Sequence, residues 1–146
     1  MYGFRPPPNN IKLDSLIFHI IFKGASAGVL ESEGYEMDEY PANFHKMYEI
    51  EVAEGKLMEI EFTDFDLEEP YHCTIYDNYR CTFDFVMVHD GEDADGDGVG
   101  DDILLPKTCN NKVPTPFTSN SHKVQVHFKT DRYIQKKGWR LVYTEV

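Results

Sequence analysis

No apolar run in this 146-residue sequence reaches the roughly 18 positions a membrane-spanning helix needs; the longest, Leu16 to Phe22, has seven. No membrane insertion is therefore expected. Basic residues are scarce too: 14 Lys and Arg stand against 26 Asp and Glu, a formal net charge of −12. A surface this negative repels phosphate, and no Lys/Arg stripe compensates, so nucleic acid and anionic lipid are excluded as partners. Divalent cations and basic proteins are the natural counterparts. Catalytic signatures are missing as well, since H-E-x-x-H, G-x-S-x-G and P-loop patterns do not occur. There is no C-x-x-C and the six histidines are scattered, which excludes a thiolate zinc site. The three cysteines, Cys73, Cys81 and Cys109, allow one intrachain pair and leave one over, in either a reducing or an oxidising setting.

What is present suits one folded unit. The chain is 41 % hydrophobic and 14 % aromatic, and a chain of this size hides roughly 68–70 % of its unfolded surface, enough for a core without metals. Alternating or continuous β-rich runs fall at Met47–Val52, Leu57–Phe62, Thr82–Val88, Lys123–Phe128 and Trp139–Thr144, each bounded by Gly, Pro, Asn or Asp. No capped helical repeat is evident. Many short strands at this spacing predict an all-β antiparallel sandwich or jelly roll. The lone Trp139 reads as a core residue of the final strand, and His89 beside Asp90 as a surface imidazole bonded to a turn carboxylate.

Three segments lie outside these strands. Residues 1–10 carry Pro6-Pro7-Pro8 and Asn9-Asn10, an extended polyproline arm. The run from Leu16 to Phe22, between Lys12 and Ala25-Ser26-Ala27, imitates a signal peptide; the alternation of Leu16, Phe18, Ile20 and Phe22 reads instead as an added strand. Residues 1–23 are thus expected to form an N-terminal extension and residues 24–146 the sandwich. A long loop follows Glu68 and carries Cys73. The stretch from Asp90 to Asp102 holds seven acidic residues. Within it Asp93, Asp95 and Asp97 alternate as in a calcium-binding loop, with Asp101 as a further candidate ligand, although Leu104 stands where an EF-hand has Glu and no flanking helices are predicted. Two readings stay open there: a second Ca2+ site, or a solvated hairpin tip.

The order of features from Gly28 onward resembles a CUB domain, the extracellular β-sandwich module of complement-initiating proteases, tolloid-like proteinases, cubilin and spermadhesins. The residues that carry the resemblance are Gly28-Val29-Leu30-Glu31-Ser32, Tyr40-Pro41, Tyr48-Glu49-Ile50, Phe65-Asp66-Leu67-Glu68, Cys81-Thr82-Phe83-Asp84-Phe85-Val86, Asp90-Gly91, Phe128-Lys129-Thr130-Asp131 and Gly138-Trp139. The usual first family disulfide is absent, Met47 standing at one of its positions. The resemblance implies that the second disulfide joins Cys81 and Cys109, closing a loop whose chain-entropy contribution is roughly 3–3.5 kcal/mol. Cys73 is left as a free thiol or as half of an intermolecular bond.

The resemblance also implies a Ca2+ ion held by Glu68, Asp84 and Asp131, with Tyr40 orienting a carboxylate. The chemistry is consistent, because Ca2+ takes six to eight hard oxygen ligands and clustered carboxylates repel one another without it. Arg132-Tyr133-Ile134 stands where the family often supplies Ser and Asn oxygens, leaving backbone carbonyls and water to complete the shell. The function so implied is that of a secreted, non-catalytic, calcium-dependent protein-interaction module that accepts a Lys or Arg side chain of a partner; in complement-like members that is a lysine of a collagen-like stem. Two alternatives stand beside it: a structural subunit of a larger extracellular assembly, a homo- or hetero-oligomer held by N-terminal strand exchange and an intermolecular disulfide, and an accessory module of a secreted protease.

Overall fold

The computed structural model describes residues 18–69, 81, 83–91, 93, 96 and 99–146, with Phe18 and His19 described by backbone alone. In chain order the strands are β1 (Phe18–Lys23), β2 (Ala27–Glu31), β3 (His45–Glu51), β4 (Met58–Asp66), β5 (Phe85–Asp90), β6 (Ile103–Thr108), β7 (Phe117–Thr118), β8 (Lys123–Lys129) and β9 (Gly138–Glu145). Among the described residues the helical structure is one 3-10 turn, Tyr35–Met37. The strands form two sheets, one in the order β1-β3-β8-β5-β6 and one in the order β2-β9-β4-β7. This is the expected all-β sandwich, with one departure from antiparallel pairing: β1 runs parallel to β3, Phe18 opposite Lys46 through Lys23 opposite Glu51. The chain leaves β1 for β2 in the opposite sheet before returning as β3, and such a crossover brings two strands of one sheet back in the same direction.

Alternation decides which side chains enter the space between the sheets. Tyr48 and Ile50, Val86 and Val88, and Val124, Val126 and Phe128 enter from the five-stranded sheet; Met58, Ile60, Phe62, Trp139 and Leu141 enter from the other. Trp139 is fully buried and meets the rings of Tyr48, Phe62 and Phe128 edge-on, at centroid distances of 5.0, 5.9 and 5.9 Å. Phe62 and Phe65 both lie in this core although their odd spacing would put them on opposite faces of a regular strand. A register shift against β9 between Phe62 and Asp64 resolves the conflict. The extra residue of a bulge resets the alternation, so Phe65 and Leu67 point inward and Glu68 arrives at the end of the sandwich. β9 begins at Gly138, at φ +107°, where a Cβ would lie 2.1 Å from Ser32 Oγ. That hydroxyl accepts the Trp139 N–H at 3.0 Å.

Two strands had no strong signal in the sequence. β6 contains Pro106 and lies at a sheet edge, the place where a strand tolerates proline. β7 has two residues. The Cys81–Cys109 disulfide is formed, with its Cα atoms 5.7 Å apart. It packs with Phe85 and Met87 on the outer face of the five-stranded sheet. Cys73, Asp95 and Asp97 lie outside the described residues.

One expectation fails on this outer face. His89 is not at the surface but fully buried, because all six residues of β5 are buried on both faces of the strand. Asp90 does not bond it; its Oδ1 accepts the N–H groups of Asn120 at 2.7 Å and Ser121 at 3.0 Å.

Candidate metal centre

Three strand ends bring the predicted carboxylates together. β5 and β8 are antiparallel neighbours whose pairing begins at Phe85 opposite Lys129. Asp84 therefore lies just before one strand and Asp131 just beyond Thr130 at the end of the other. β4 in the opposite sheet ends at the same side, where its last pair is Asp66 with Gly138, and the chain continues through Leu67, whose N–H is held by the Asn110 carbonyl at 2.9 Å, to Glu68. The structure thus brings Glu68, Asp84 and Asp131, up to 63 residues apart in sequence, to one end. One carboxylate oxygen from each lies within 4.8 Å of the others.

The second layer fixes these groups. Tyr40 is buried, donates its hydroxyl proton to Asp84 Oδ2 at 2.5 Å and accepts the Glu68 N–H at 3.1 Å. Asp84 Oδ1 accepts the Asp131 N–H at 2.8 Å, so Asp84 spans Tyr40 and Asp131. Asp131 in turn holds its own loop, accepting Asn43 N–H on its carbonyl at 2.8 Å and Tyr133 N–H on Oδ1 at 3.1 Å. Thr130 is the residue that the sequence reading missed. Its hydroxyl donates to the Pro41 carbonyl at 2.8 Å and accepts the Phe44 N–H at 2.9 Å, clamping the Tyr40 loop to the end of β8. A polar residue at the last turn-side position before Asp131 is the signal that points to it.

Burial makes this cluster electrostatically costly. Removal from water, then the nearby Asp131 and Asp84 charges, raise the Glu68 carboxyl to about 7. Asp84 is raised to about 6 by burial, against the lowering effect of the Tyr40 and Asp131 hydrogen bonds. The Tyr40 hydroxyl is held protonated by burial and by its bond to Asp84. Glu68 Oε1 is buried with no hydrogen-bond partner. A hard divalent cation answers each of these features: it takes oxygen donors only, offsets carboxylate repulsion and supplies a partner to the orphaned oxygen. The residues present fit Ca2+.

The acidic loop shows a different picture. Asp93 Oδ1 accepts the Gly96 N–H at 2.9 Å, a local turn, and Asp101 is exposed.

Comparison with known proteins follows the same lines. The sequence model of the CUB domain matches residues 22–143. Human cubilin is 29 % identical over 120 residues, 82 % of this chain and 3 % of cubilin; the chain thus spans a small fraction of that relative's length. Among solved structures, the CUB1-EGF-CUB2 domain of human MASP-1/3 is 25 % identical with a TM-score of 0.70, covering 100 % of this chain and 48 % of that one. A MASP-1 CUB2 domain bound to Ca2+ is 26 % identical with a TM-score of 0.67, covering 85 % of this chain and 96 % of that one.

Proposed function

The chain belongs to the CUB domain family, and on that premise we propose that it is an extracellular, non-catalytic module that binds one Ca2+ through Glu68, Asp84 and Asp131 and uses the charged end so formed to accept a Lys or Arg side chain of a partner protein. The observation that carries this reading is the convergence of three carboxylates, one of which, Glu68, has a buried oxygen with no hydrogen-bond partner, Oε1. The solved MASP-1 CUB2 domain with Ca2+ supports the choice of ion. An ammonium or guanidinium group gains most where carboxylate oxygens are already fixed, since charge-assisted hydrogen bonds are about twice as strong as neutral ones. Tyr40 and Thr130 do that fixing. The disulfide supports an oxidising compartment.

The test uses an immobilised collagen-like peptide with a single lysine. Binding is expected in Ca2+, and is expected to be lost in chelator, in Asp131→Ala and when the peptide lysine is replaced by alanine. Binding that survives chelation and Asp131→Ala contradicts the reading.

A second reading has one observation in its favour. β1 is a sheet edge with Ile20 38 % and Ile21 52 % exposed, and an exposed apolar edge is a template for strand addition from another chain. A solution mass above that of one chain, falling to the monomer value when residues 1–23 are removed, is the result expected if this edge builds an assembly.

A further inference from the structure

The outer face of the five-stranded sheet buries ligand chemistry that the carboxylate end does not use. Met47 on β3 is directly opposite His127 on β8, which is directly opposite Met87 on β5, so one row across three strands reads thioether, imidazole, thioether. His89, two residues along β5, stands beside this row. Its ring and that of His127 have centroids 4.9 Å apart with planes at 83°. His89, His127 and Met87 are fully buried and Met47 is 3 % exposed.

We propose that His89, His127, Met47 and Met87 form a binding site for a soft monovalent ion, Cu(I). Both ring nitrogens of His89 are buried with no hydrogen-bond partner. Native structures rarely leave such groups unsatisfied, and a bound ion is one of the partners that satisfies them. The ring geometry suits it: two imidazoles on one ion, through bonds of about 2.0–2.1 Å at a tetrahedral angle, have ring centres about 5 Å apart. Neutral imidazole is the ligating form, and burial holds the His89 ring neutral by lowering its pKa to about 4. Thioethers decide the class of ion, because they are poor ligands for Ca2+ and good ones for Cu(I). The nearest polar neighbour in the next row, Gln125, is already engaged, its Oε1 accepting Gly100 N–H at 2.8 Å.

Ag(I) is the redox-inert probe of this site. It is titrated in nitrate buffer into the Ca2+-saturated full chain carrying Cys73→Ser, so that no thiol at that position takes the ion, and followed by intact mass and by methionine-methyl NMR. One retained Ag(I) per chain is expected, moving the methyl signals of Met47 and Met87 while those of Met58, between the sheets, and Met37, at the surface, stay in place. Cu(I) kept reduced with ascorbate is expected to displace it. His89→Phe is expected to weaken retention about tenfold or more, and Met47→Leu with Met87→Leu, which keeps the packing volume, to do the same. No retained Ag(I), retention unchanged in both variants, or movement of the Met37 signal in place of the other two overturns the proposal and leaves the pair a packed structural contact.

Discussion

The carboxylate end and the histidine face are two places where one sandwich buries polar groups, and they differ in what holds those groups. At the end, Asp84 receives the Tyr40 hydroxyl and the Asp131 N–H, and Tyr40 also receives the Glu68 N–H. Both Asp84 oxygens are aimed by partners that the fold supplies, and Glu68 Oε1 is left for a cation. On the outer face, His89 rests against another ring and donates to nothing. The contrast separates two uses of burial. A hydrogen-bonded carboxylate cluster resists protonation only in part and is organised for a hard cation, whereas an unbonded imidazole is simply desolvated and stays neutral.

Substitution at the two places is expected to give effects of opposite kind. Asp84→Ala removes the acceptor of the buried Tyr40 hydroxyl and of the part-buried Asp131 N–H, and an orphaned buried donor costs about 1–3 kcal/mol, so a loss of about 2–3 kcal/mol in urea unfolding is expected together with loss of calcium binding. An effect below 1 kcal/mol would show that the Tyr40 and Asp131 bonds are not formed in solution. Calcium itself is expected to stabilise the wild-type chain by about 2.7 kcal/mol at a hundred times Kd, through its preference for the folded state. Melting curves with and without chelator check this, and the stabilisation should vanish in Asp84→Ala.

The pH dependence distinguishes the regions by sign. Glu68 and Asp84 have folded pKa values, about 7 and about 6, above those of the unfolded chain. The folded state therefore binds more protons there, and without calcium this contribution to stability is present below about pH 4 and is lost as pH rises through 6 and 7. His89 has a folded pKa of about 4, below its unfolded value of about 6.5. The unfolded state binds the extra proton, so this contribution is present above pH 6.5 and is lost as pH falls towards 4. Chelated His89→Phe should show only the carboxylate slope, and calcium-loaded wild type mainly the histidine slope. The same slope in both samples would break the comparison.

Smaller effects complete the series. Tyr40→Phe deletes one hydroxyl that both donates and accepts, and about 1–2 kcal/mol of stability with a weakened calcium affinity is expected in calorimetry. His89→Phe without any metal ion is expected not to destabilise the chain and to raise its stability if the pocket takes the larger ring, because an apolar ring replaces one whose buried nitrogens have no partner.

These differences also mark what the sequence made legible. The inter-sheet core was readable from alternation in β3, β8 and β9, and Trp139 lies where a lone aromatic in a final strand belongs. The bulge in β4 was not, since Phe62 and Phe65 read as a conflict of period until the partner strand is known. Glu68, Asp84 and Asp131 were named through a family resemblance. Spacing alone does not join residues on strands of different sheets, and the run of aspartates after Asp90 gave a stronger local signal than the residues that converge. Thr130 and the buried His89 were missed for one reason: a polar residue at a strand end looks exposed until its neighbours on both faces are known.

Calcium titration with a proton count tests the central claim most directly. Calorimetry in buffers of different ionisation enthalpy measures both quantities, and with Glu68 near pKa 7 binding at pH 6.5 must release protons that it does not release at pH 8.5. The expected result is one ion per chain at the carboxylate end, a proton release that fades by pH 8.5, and loss of binding in Asp131→Ala. Calcium binding that persists in Asp131→Ala, or that carries no proton release at pH 6.5, would contradict the account.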